Sequence, residues 1–269
     1  MKKIIFLTGS RGFIGGNFYD SFKKEFDIER INTRKIIKKS NYNKILEILF
    51  KKKKPTAVIH FAAYYSKTNY LKEQKLSKKI NFEYSKALFD LSKKYHVKYF
   101  VNTSTVAEFY RSEFYKKYHY SLYKRKFTTF LKENKKNYPK ILQIYLNNTY
   151  GLKDKRNKLI PKLINQIKKK KIILYKTNNI LDFVSVNVLN KYIAKKISQK
   201  EYRNEEYLIK SLKPLTIKKI VDSLELKNIN IRYNKNANNN YSIHDSIKKI
   251  KIVRLRSNLV TWLKKILRH

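Results

Sequence analysis

No cysteine occurs in the chain of 269 residues. Disulfides, a thiol nucleophile and a Cys-based zinc site are therefore excluded. The five histidines, at 60, 96, 119, 244 and 269, are scattered without metal-ligand spacing, so no metal is expected. No apolar run approaches the length of a membrane span. Met1-Lys2-Lys3 before Ile4-Ile5-Phe6-Leu7 imitates a signal peptide, but the apolar stretch is short and turns at once into a glycine-rich loop. Cytoplasmic residence is the default expectation. Tryptophan and methionine occur once each, whereas there are 22 Tyr and 15 Phe, and hydrophobic residues make up 42%. That content can fill a core and argues against disorder. The length suits one large domain, or a main domain with a smaller lobe.

Acids are scarce. Lys and Arg number 64 against 19 Asp and Glu, a net charge of +45. Such charge attracts nucleic acid, anionic lipid or acidic substrates. The lysines, however, are spread in short runs (51–54, 168–171), which is the pattern of a solvated surface, and nucleic acid is not the expected partner.

What is present begins at residue 4. Ile4–Leu7 reads as a strand, and Thr8-Gly9-Ser10-Arg11-Gly12-Phe13-Ile14-Gly15 reads as a glycine-rich turn opening a helix. One glycine makes the tight turn, one lets a diphosphate approach the backbone, and one lets the helix pack on the sheet. The helix N-terminus offers free N–H groups and partial positive charge to the phosphates. The context predicts a dinucleotide site. A second strand is expected at Asp27–Asn32. An NAD site places an acid at its end for the ribose 2′-hydroxyl, but here stand Asn32 and Thr33, followed by Arg34. Arg11 and Arg34 can pair with a 2′-phosphate, so NADP is preferred and NAD remains possible.

Further on, helices are expected at 13–26 (Phe18, Phe22 and Phe26 on one face), at 41–52 (Ile45, Leu46, Ile48 and Leu49) and across 68–95 (Leu71, Leu76, Ile80, Leu88 and Leu91). Ala57–Phe61 reads as a buried parallel strand. Ala62 and Ala63 follow, small enough for a cofactor to lie against the backbone, and His60 reads as a packed strand residue. Strand 97–101 runs into Asn102-Thr103-Ser104-Thr105, which gathers hydroxyls at the sheet's carboxyl edge, where open α/β sheets bind ligands. Tyr120 and Lys124 are four apart and share a helix face. An ammonium beside a phenol lowers the Tyr pKa, and a hydroxyl from Ser104 or Thr105 can share the same carbonyl oxygen.

Strand 141–146 leads to Asn147-Asn148-Thr149-Tyr150-Gly151, and from Leu152 the pattern changes. Helices are expected at 159–167, 188–197 and 215–224, a strand at 172–175, and a loop or weak strand at 228–242. A basic amphipathic helix over 255–267 is expected to dock on the fold rather than lie on a membrane.

TGSRGFIG (8–15), VIHFAA (58–63), the helix carrying Asn81, FVNTST (100–105), YSLYK (120–124), LNNTYG (146–151) and LDFVSV (181–186) occur in the order found in the extended short-chain dehydrogenase/reductases. From residue 3 to about 190 the chain resembles their epimerase/dehydratase group, which acts on nucleotide-activated sugars. The resemblance implies an α/β fold: a Rossmann-type, doubly wound parallel sheet over 1–150. A smaller C-terminal α/β substrate lobe would span 151–269, with 183–200 returning to the main domain. It makes Tyr120 the general acid/base, Lys124 its partner and the holder of the nicotinamide ribose, and Thr105, or its neighbour Ser104, the hydroxyl on the sugar carbonyl. Gly9, Gly12 and Gly15, with Phe13 and Ile14 between them, would hold the diphosphate; Phe61, Ala62 and Ala63 would flank the cofactor. Asn148 would contact the substrate's phosphates, and Leu181 stands where the family often has an arginine on them.

The 4,6-dehydratases carry an Asp-Glu pair where this chain has Val106 and Ala107, which argues against water elimination. The short chain and short Thr105–Tyr120 stretch are most similar to deoxysugar 4-ketoreductases such as CDP-paratose or CDP-abequose synthase. The reading is an NADP(H)-preferring reductase of a nucleotide-linked 4-keto sugar in surface-polysaccharide building. Alternatives are a 4-epimerase with tightly bound NAD, and a non-catalytic RNA-binding or scaffold member. The family also implies a homodimer.

Overall fold

A computed structural model of the chain describes residues 2–136, 138–175, 179–234 and 245–268. The first half alternates strand and helix: β1 (Ile4–Thr8), α1 (Phe13–Phe22), β2 (Asp27–Ile31), a short α2 (Thr33–Ile36), α3 (Tyr42–Lys53) and β3 (Ala57–His60). There follow α4 (Leu71–Lys78), a π-helical stretch Lys79–Tyr84, α5 (Ser85–Lys94), β4 (Tyr99–Thr105), a 3-10 turn Val106–Phe109, α6 (Glu113–Lys117), α7 (His119–Glu133) and β5 (Lys140–Leu146). The second half carries β6 (Asn148–Tyr150), α8 (Leu159–Lys168), β7 (Lys171–Tyr175), β8 (Ile180–Leu181), β9 (Phe183–Ser185), α9 (Val186–Ser198) and β10 (Glu205–Ser211). It ends with β11 (Leu215–Thr216), α10 (Ile217–Asp222), β12 (Asn230–Asn234), a 3-10 turn Asp245–Lys249, β13 (Lys251–Leu255) and α11 (Leu259–Leu267).

Among the described residues the central sheet has seven strands in the order β2-β1-β3-β4-β5-β10-β13, all neighbours parallel. Parallel strands need both faces covered, and β3 accordingly is buried at every position. One face carries a core of Ile5, Leu7, Ile59, Val101 and Ile144 against Phe18 of α1 and Leu189, Ile193 and Ile197 of α9. The other carries Phe6, Val58 and Phe100 against Leu46, Phe50, Leu88, Phe89 and Phe127. The chain runs outward from β1 to β2 and then crosses back to β3, so the winding reverses between β1 and β3. The carboxyl-end crevice of a doubly wound, Rossmann-like sheet lies at that reversal.

A third core stands apart. Tyr150, Ile160, Leu163, Ile172, Phe183, Ile217, Val221 and Leu263 pack together with the half-buried Trp262. Residues after 151 do not all stay there: besides α9, the strands β10 and β13 extend the central sheet beyond β5, further than the return at 183–200 that the sequence suggested.

Other departures have local causes. In α3 the buried positions are Leu46 and Phe50, one turn apart; Ile48, two residues from Leu46 and so across the helix, is 56% exposed. Leu71 and Leu76 face outward, while Glu73 and Ser77 face inward. The helix expected from 255 starts at Leu259, because Lys251–Leu255 pairs as a strand with β10 and Asn258 caps the helix, its Oδ1 accepting from the Thr261 N–H at 3.0 Å. Strand β10 was not anticipated. In the Asn-rich stretch, β12 occupies 230–234 beside β7; the remainder, 235–242, lies outside the described residues.

Candidate functional site

The turn after β1 is shaped by its glycines. Gly9 sits at φ +71°, a left-handed conformation that favours glycine, and a Cβ there would meet the backbone of Phe61 and Ala62 at 2.6 Å. A Cβ on Gly15 would lie 2.4 Å from the Gly9 carbonyl oxygen, so its absence lets α1 rest on the strand end. Gly12 is exposed, donates its N–H to Gly9 O at 2.9 Å and stands at the N-cap of α1 without a side chain to cap it. The first-turn amides of Phe13, Ile14 and Gly15 have no intrahelical acceptor. That uncapped turn beside an open glycine is a cradle that fits a diphosphate.

A fully buried hydrogen-bond chain locks the floor of this cradle. Thr8 Oγ1 and His60 Nδ1 are 2.8 Å apart, His60 Nε2 and Ser85 Oγ 2.8 Å, Ser85 Oγ donates to Ile80 O at 3.0 Å, and Ala62 N–H donates to Thr8 Oγ1 at 3.3 Å. Since Ser85 gives its proton to Ile80, His60 must donate from Nε2 and accept from the Thr8 hydroxyl at Nδ1. Burial holds the His60 pKa well below its usual value, and the Lys124 charge adds to this. His60 is therefore a neutral packing residue. Phe61 turns its ring onto Phe18, 6.0 Å between centroids, and presents its backbone to the turn; Ala62 is buried and Ala63 exposed.

At the end of β2 no carboxylate is present. Asn32 Oδ1 accepts from the Lys35 N–H at 3.2 Å, and the Thr33 hydroxyl donates to Tyr84 Oη at 3.2 Å. Arg11 and Arg34 are exposed. A further cation, not singled out in the sequence, leans over the loop: Arg30 Nε lies 3.4 Å from Ser10 Oγ, with its guanidinium 4.4 Å above the Tyr19 ring. Its signal was its place opposite Leu7 in the β1–β2 register, one residue before the loop begins.

On the far side of the crevice, α7 runs back along β4. Lys124 is 4% exposed and donates from Nζ to Thr103 O at 2.6 Å. Tyr120, one turn nearer the helix start, therefore lies at the carboxyl edge, half-buried, with its ring edge-on to Tyr65 at 5.2 Å. Thr105 is half-buried there too; its Oγ1 accepts from the Ala107 N–H at 3.2 Å, leaving its own proton free to donate. Ser104 is not brought to this group. Successive strand residues face opposite ways, and its hydroxyl donates instead to the buried Glu108 carboxyl. Val106 and Ala107 offer no acid, and the acid of that turn, Glu108, is taken up by Ser104 and Thr128.

The electrostatics differ from the sequence expectation. The Tyr120 phenol is pushed up, not down, by desolvation first and then by Glu108 and Tyr65, with Arg156 opposing. The Lys124 ammonium that was to lower it is engaged by the Thr103 carbonyl. Tyr120 is thus protonated at neutral pH, the form that gives a proton.

Two residues given no site role from the sequence, Asn81 and Arg156, shape the rim. Asn81, buried in the π-helical stretch, clamps the segment after β3: its Oδ1 accepts from Tyr64 N–H at 2.8 Å and its Nδ2 donates to Tyr64 O at 2.9 Å. A π-turn where the chain must be held out of helical register often marks a site. Arg156 stacks on the Phe13 ring at 4.2 Å, is held bidentate by Asp154 (2.7 and 2.8 Å) and donates to Thr149 O at 2.9 Å.

Asn148 pairs opposite Phe183, and its N–H reaches Asp182 O at 3.3 Å, one residue on from Leu181 at the end of β8. Leu181 and Phe183 line a cleft of about 580 Å³ whose rim includes Lys213 and Arg256. Among the described residues no His, Asp and Glu cluster suits a metal ion, and no helix is long and apolar enough to cross a membrane.

The profile of the NAD dependent epimerase/dehydratase family matches residues 5–201. No curated protein matches the chain. Among solved structures it is similar to a GDP-mannoheptose C4 reductase from Campylobacter jejuni with NADP bound. That match has 14% identity, 99% of this chain and 98% of that one covered, and a TM-score of 0.77. It is likewise similar to a dTDP-4-dehydrorhamnose reductase from Bacillus anthracis in complex with NADP (21% identity, 98% and 97% covered, TM-score 0.75). A dTDP-glucose 4,6-dehydratase from the same organism, in complex with NAD, matches at 20% identity, 99% and 96% covered, and a TM-score of 0.73.

Proposed function

The chain belongs to the NAD dependent epimerase/dehydratase family, and from that premise we propose that it is an NADP(H)-preferring reductase of a nucleotide-activated 4-keto sugar. The supporting observation is the constellation at one sheet edge: an uncapped glycine cradle, and across the crevice a protonated Tyr120 above Lys124 with the free hydroxyl of Thr105. Similar structures that carry NADP include nucleotide-sugar reductases, and surface-polysaccharide building is the role the resemblance implies.

In this reading the amides of Phe13, Ile14 and Gly15 hold the diphosphate. Phe61, Ala62 and Ala63 give the cofactor a backbone wall, and Lys124 holds the nicotinamide ribose. Arg11, Arg30 and Arg34, with no acid at Asn32, favour a 2′-phosphate. The cofactor supplies a hydride. Thr105 donates to the sugar carbonyl oxygen, and Tyr120 gives that oxygen its proton as negative charge develops there. Asn148 lies toward the substrate's phosphates. The apolar cleft at Leu181, with Lys213 and Arg256 at its rim, is of a size suited to a nucleotide moiety and offers positive charge that Leu181 lacks. Val106 and Ala107 leave a dehydratase without its acid.

The test is NADPH consumption with a panel of 4-keto-6-deoxy nucleotide sugars, which should proceed with at least one. Tyr120→Phe should abolish turnover while leaving NADPH binding intact; undiminished turnover in that variant would sink the assignment. Purification with tightly bound NAD, and no net NADPH use, would point instead to a 4-epimerase.

A further inference from the structure

One buried carboxyl has no part in the chemistry above. Glu108, in the 3-10 turn after β4, is 5% exposed. Its Oε1 accepts from the Ser104 hydroxyl and from Thr128 Oγ1, the latter at 3.3 Å, and its main-chain carbonyl accepts from Arg125 Nη1 at 3.2 Å. It is therefore pinned from β4 and from α7 at once. Tyr120, Lys124 and Thr128 stand at intervals of four along α7 and form one stripe, so the residue holding Glu108 is the next turn of the face that carries the reactive pair.

We propose that Glu108 is a positioning residue of the active site: held by Ser104 and Thr128, it supplies the counter-charge that keeps Lys124 protonated beneath Tyr120. This rests on the reading of Tyr120 and Lys124 as the reactive pair. A buried ammonium that, among the described residues, donates to the neutral Thr103 carbonyl is poorly compensated, and an opposite charge in the same desolvated layer offsets that cost.

The other groups around Glu108 agree with this role. From α7 it faces Lys124, Arg125 and Lys132, of which Lys132 already pairs with Glu206 at 2.7 Å. From β5 it faces Tyr145, whose phenol donates to Glu206 of β10 at 2.7 Å. Val106, Leu208 and Ile250 close an apolar cluster over Tyr145. Around Lys124 the other titratable neighbours are Tyr120 and the neutral His60. Burial pushes the Glu108 carboxyl up to about 8 and the Lys124 ammonium down to about 8, and each charge opposes the shift of the other; the carboxylate is therefore present on the alkaline side, where Lys124 would otherwise lose its proton.

The experiment is a fluorescence titration of NADPH against the full chain from about pH 6 to about pH 10. It uses wild type, Glu108→Gln, Glu108→Asp, Thr128→Val and Lys124→Met, with thermal unfolding of each recorded alongside. Lys124 holds the ribose only while charged, so wild-type affinity should fall as the pH rises, and Lys124→Met should bind weakly without that limb. Glu108→Gln keeps acceptors for Ser104 and Thr128 but loses the charge. Its alkaline limb should move to lower pH by about one unit, which is about tenfold in affinity on the limb.

Glu108→Asp should restore most of the displacement. Thr128→Val, which loosens the carboxylate without unpacking it, should move the limb the same way by less, and serves if the Gln variant does not fold. A limb that stays at the wild-type pH in both Gln and Val variants, or a uniform weakening shared equally by Gln and Asp, overturns the proposal. An unchanged limb in Lys124→Met overturns it through Lys124. A wild-type protein that binds no NADPH at any pH overturns the cofactor reading, and this inference with it.

Discussion

Replacing Gly15 by alanine would place a Cβ 2.4 Å from the carbonyl oxygen of Gly9 and 2.8 Å from its carbonyl carbon. Both atoms are main chain at the end of β1, so no rotamer change relieves the contact. Ordinary contacts begin at 3.4 Å, which requires α1 to retreat by about 1 Å. Overpacking costs about 1–3 kcal/mol, and alanine regains ~1 kcal/mol over glycine inside a helix. With a rigid neighbour the net is about 2 kcal/mol, or a fall in Tm of roughly 4–8 °C for a chain of this size. The same retreat moves the first-turn amides of Phe13 and Ile14 from the cradle, and NADPH affinity should fall with stability. Gly12→Ala is the contrasting case. Its φ of −82° and ψ of 172° suit alanine, and its Cβ meets only Gly9 O, at 3.2 Å. Stability should change by less than about 1 kcal/mol, the scale of an N-cap exchange, while a methyl group in the open face of the cradle should weaken NADPH at least about tenfold, or ~1.4 kcal/mol. Circular dichroism melting and NADPH fluorescence read the two effects separately. A Gly15→Ala protein as stable as wild type, or a Gly12→Ala protein with undiminished NADPH affinity, would refute the division of labour between these glycines.

Asn32→Asp keeps the cap on the Lys35 N–H but adds the acid missing from β2; the ratio of NADPH to NADH affinity should fall about tenfold or more, and an unchanged ratio would show that Arg11, Arg30 and Arg34 do not face a 2′-phosphate. His60 has a folded pKa held well below 6.5, so its contribution is fully present above the unfolded value and is lost as the pH falls. Wild-type Tm should therefore drop from neutral pH toward acid, and His60→Gln, less stable at neutral pH, should show a shallower drop; parallel curves would exclude His60 as the source. Leu263→Ala should cost about 3 kcal/mol, because Leu263 is fully buried in the third core, with Tyr150, Ile160 and Phe183; chemical denaturation measures it, and a loss under about 1 kcal/mol would mean that α11 is not docked as described.

Much was legible in the sequence because it was local. Four of the five glycines lie between residues 9 and 16, and glycine is scarce elsewhere, so a backbone requirement was visible as composition. The apolar run Ala57–His60 announced a strand buried on both faces, and the spacing of Tyr120 and Lys124 placed them on one helix face. The family resemblance, read from short motifs in order, agrees with the profile match over residues 5–201.

What the sequence could not decide depends on contacts between distant segments. Strands β10 and β13 carry charged residues and become strands only by pairing, β10 beside β5 and β13 beside β10. Ser104 and Thr105 were interchangeable as hydroxyls, and only the strand's alternation, with Glu108 behind it, separates them. The direction of the Tyr120 shift was misread because a phenol and an ammonium one turn apart say nothing of burial or of a competing carbonyl at Thr103. Glu108 carried no signal of its own in the sequence; its burial and its bonds to Ser104 and Thr128 appear only in the fold. Local propensity and spacing are encoded residue by residue and survive in the chain by itself; desolvation is a property of everything packed around a group, so charge state and orientation at this site were decided only when the sheet and α7 came together.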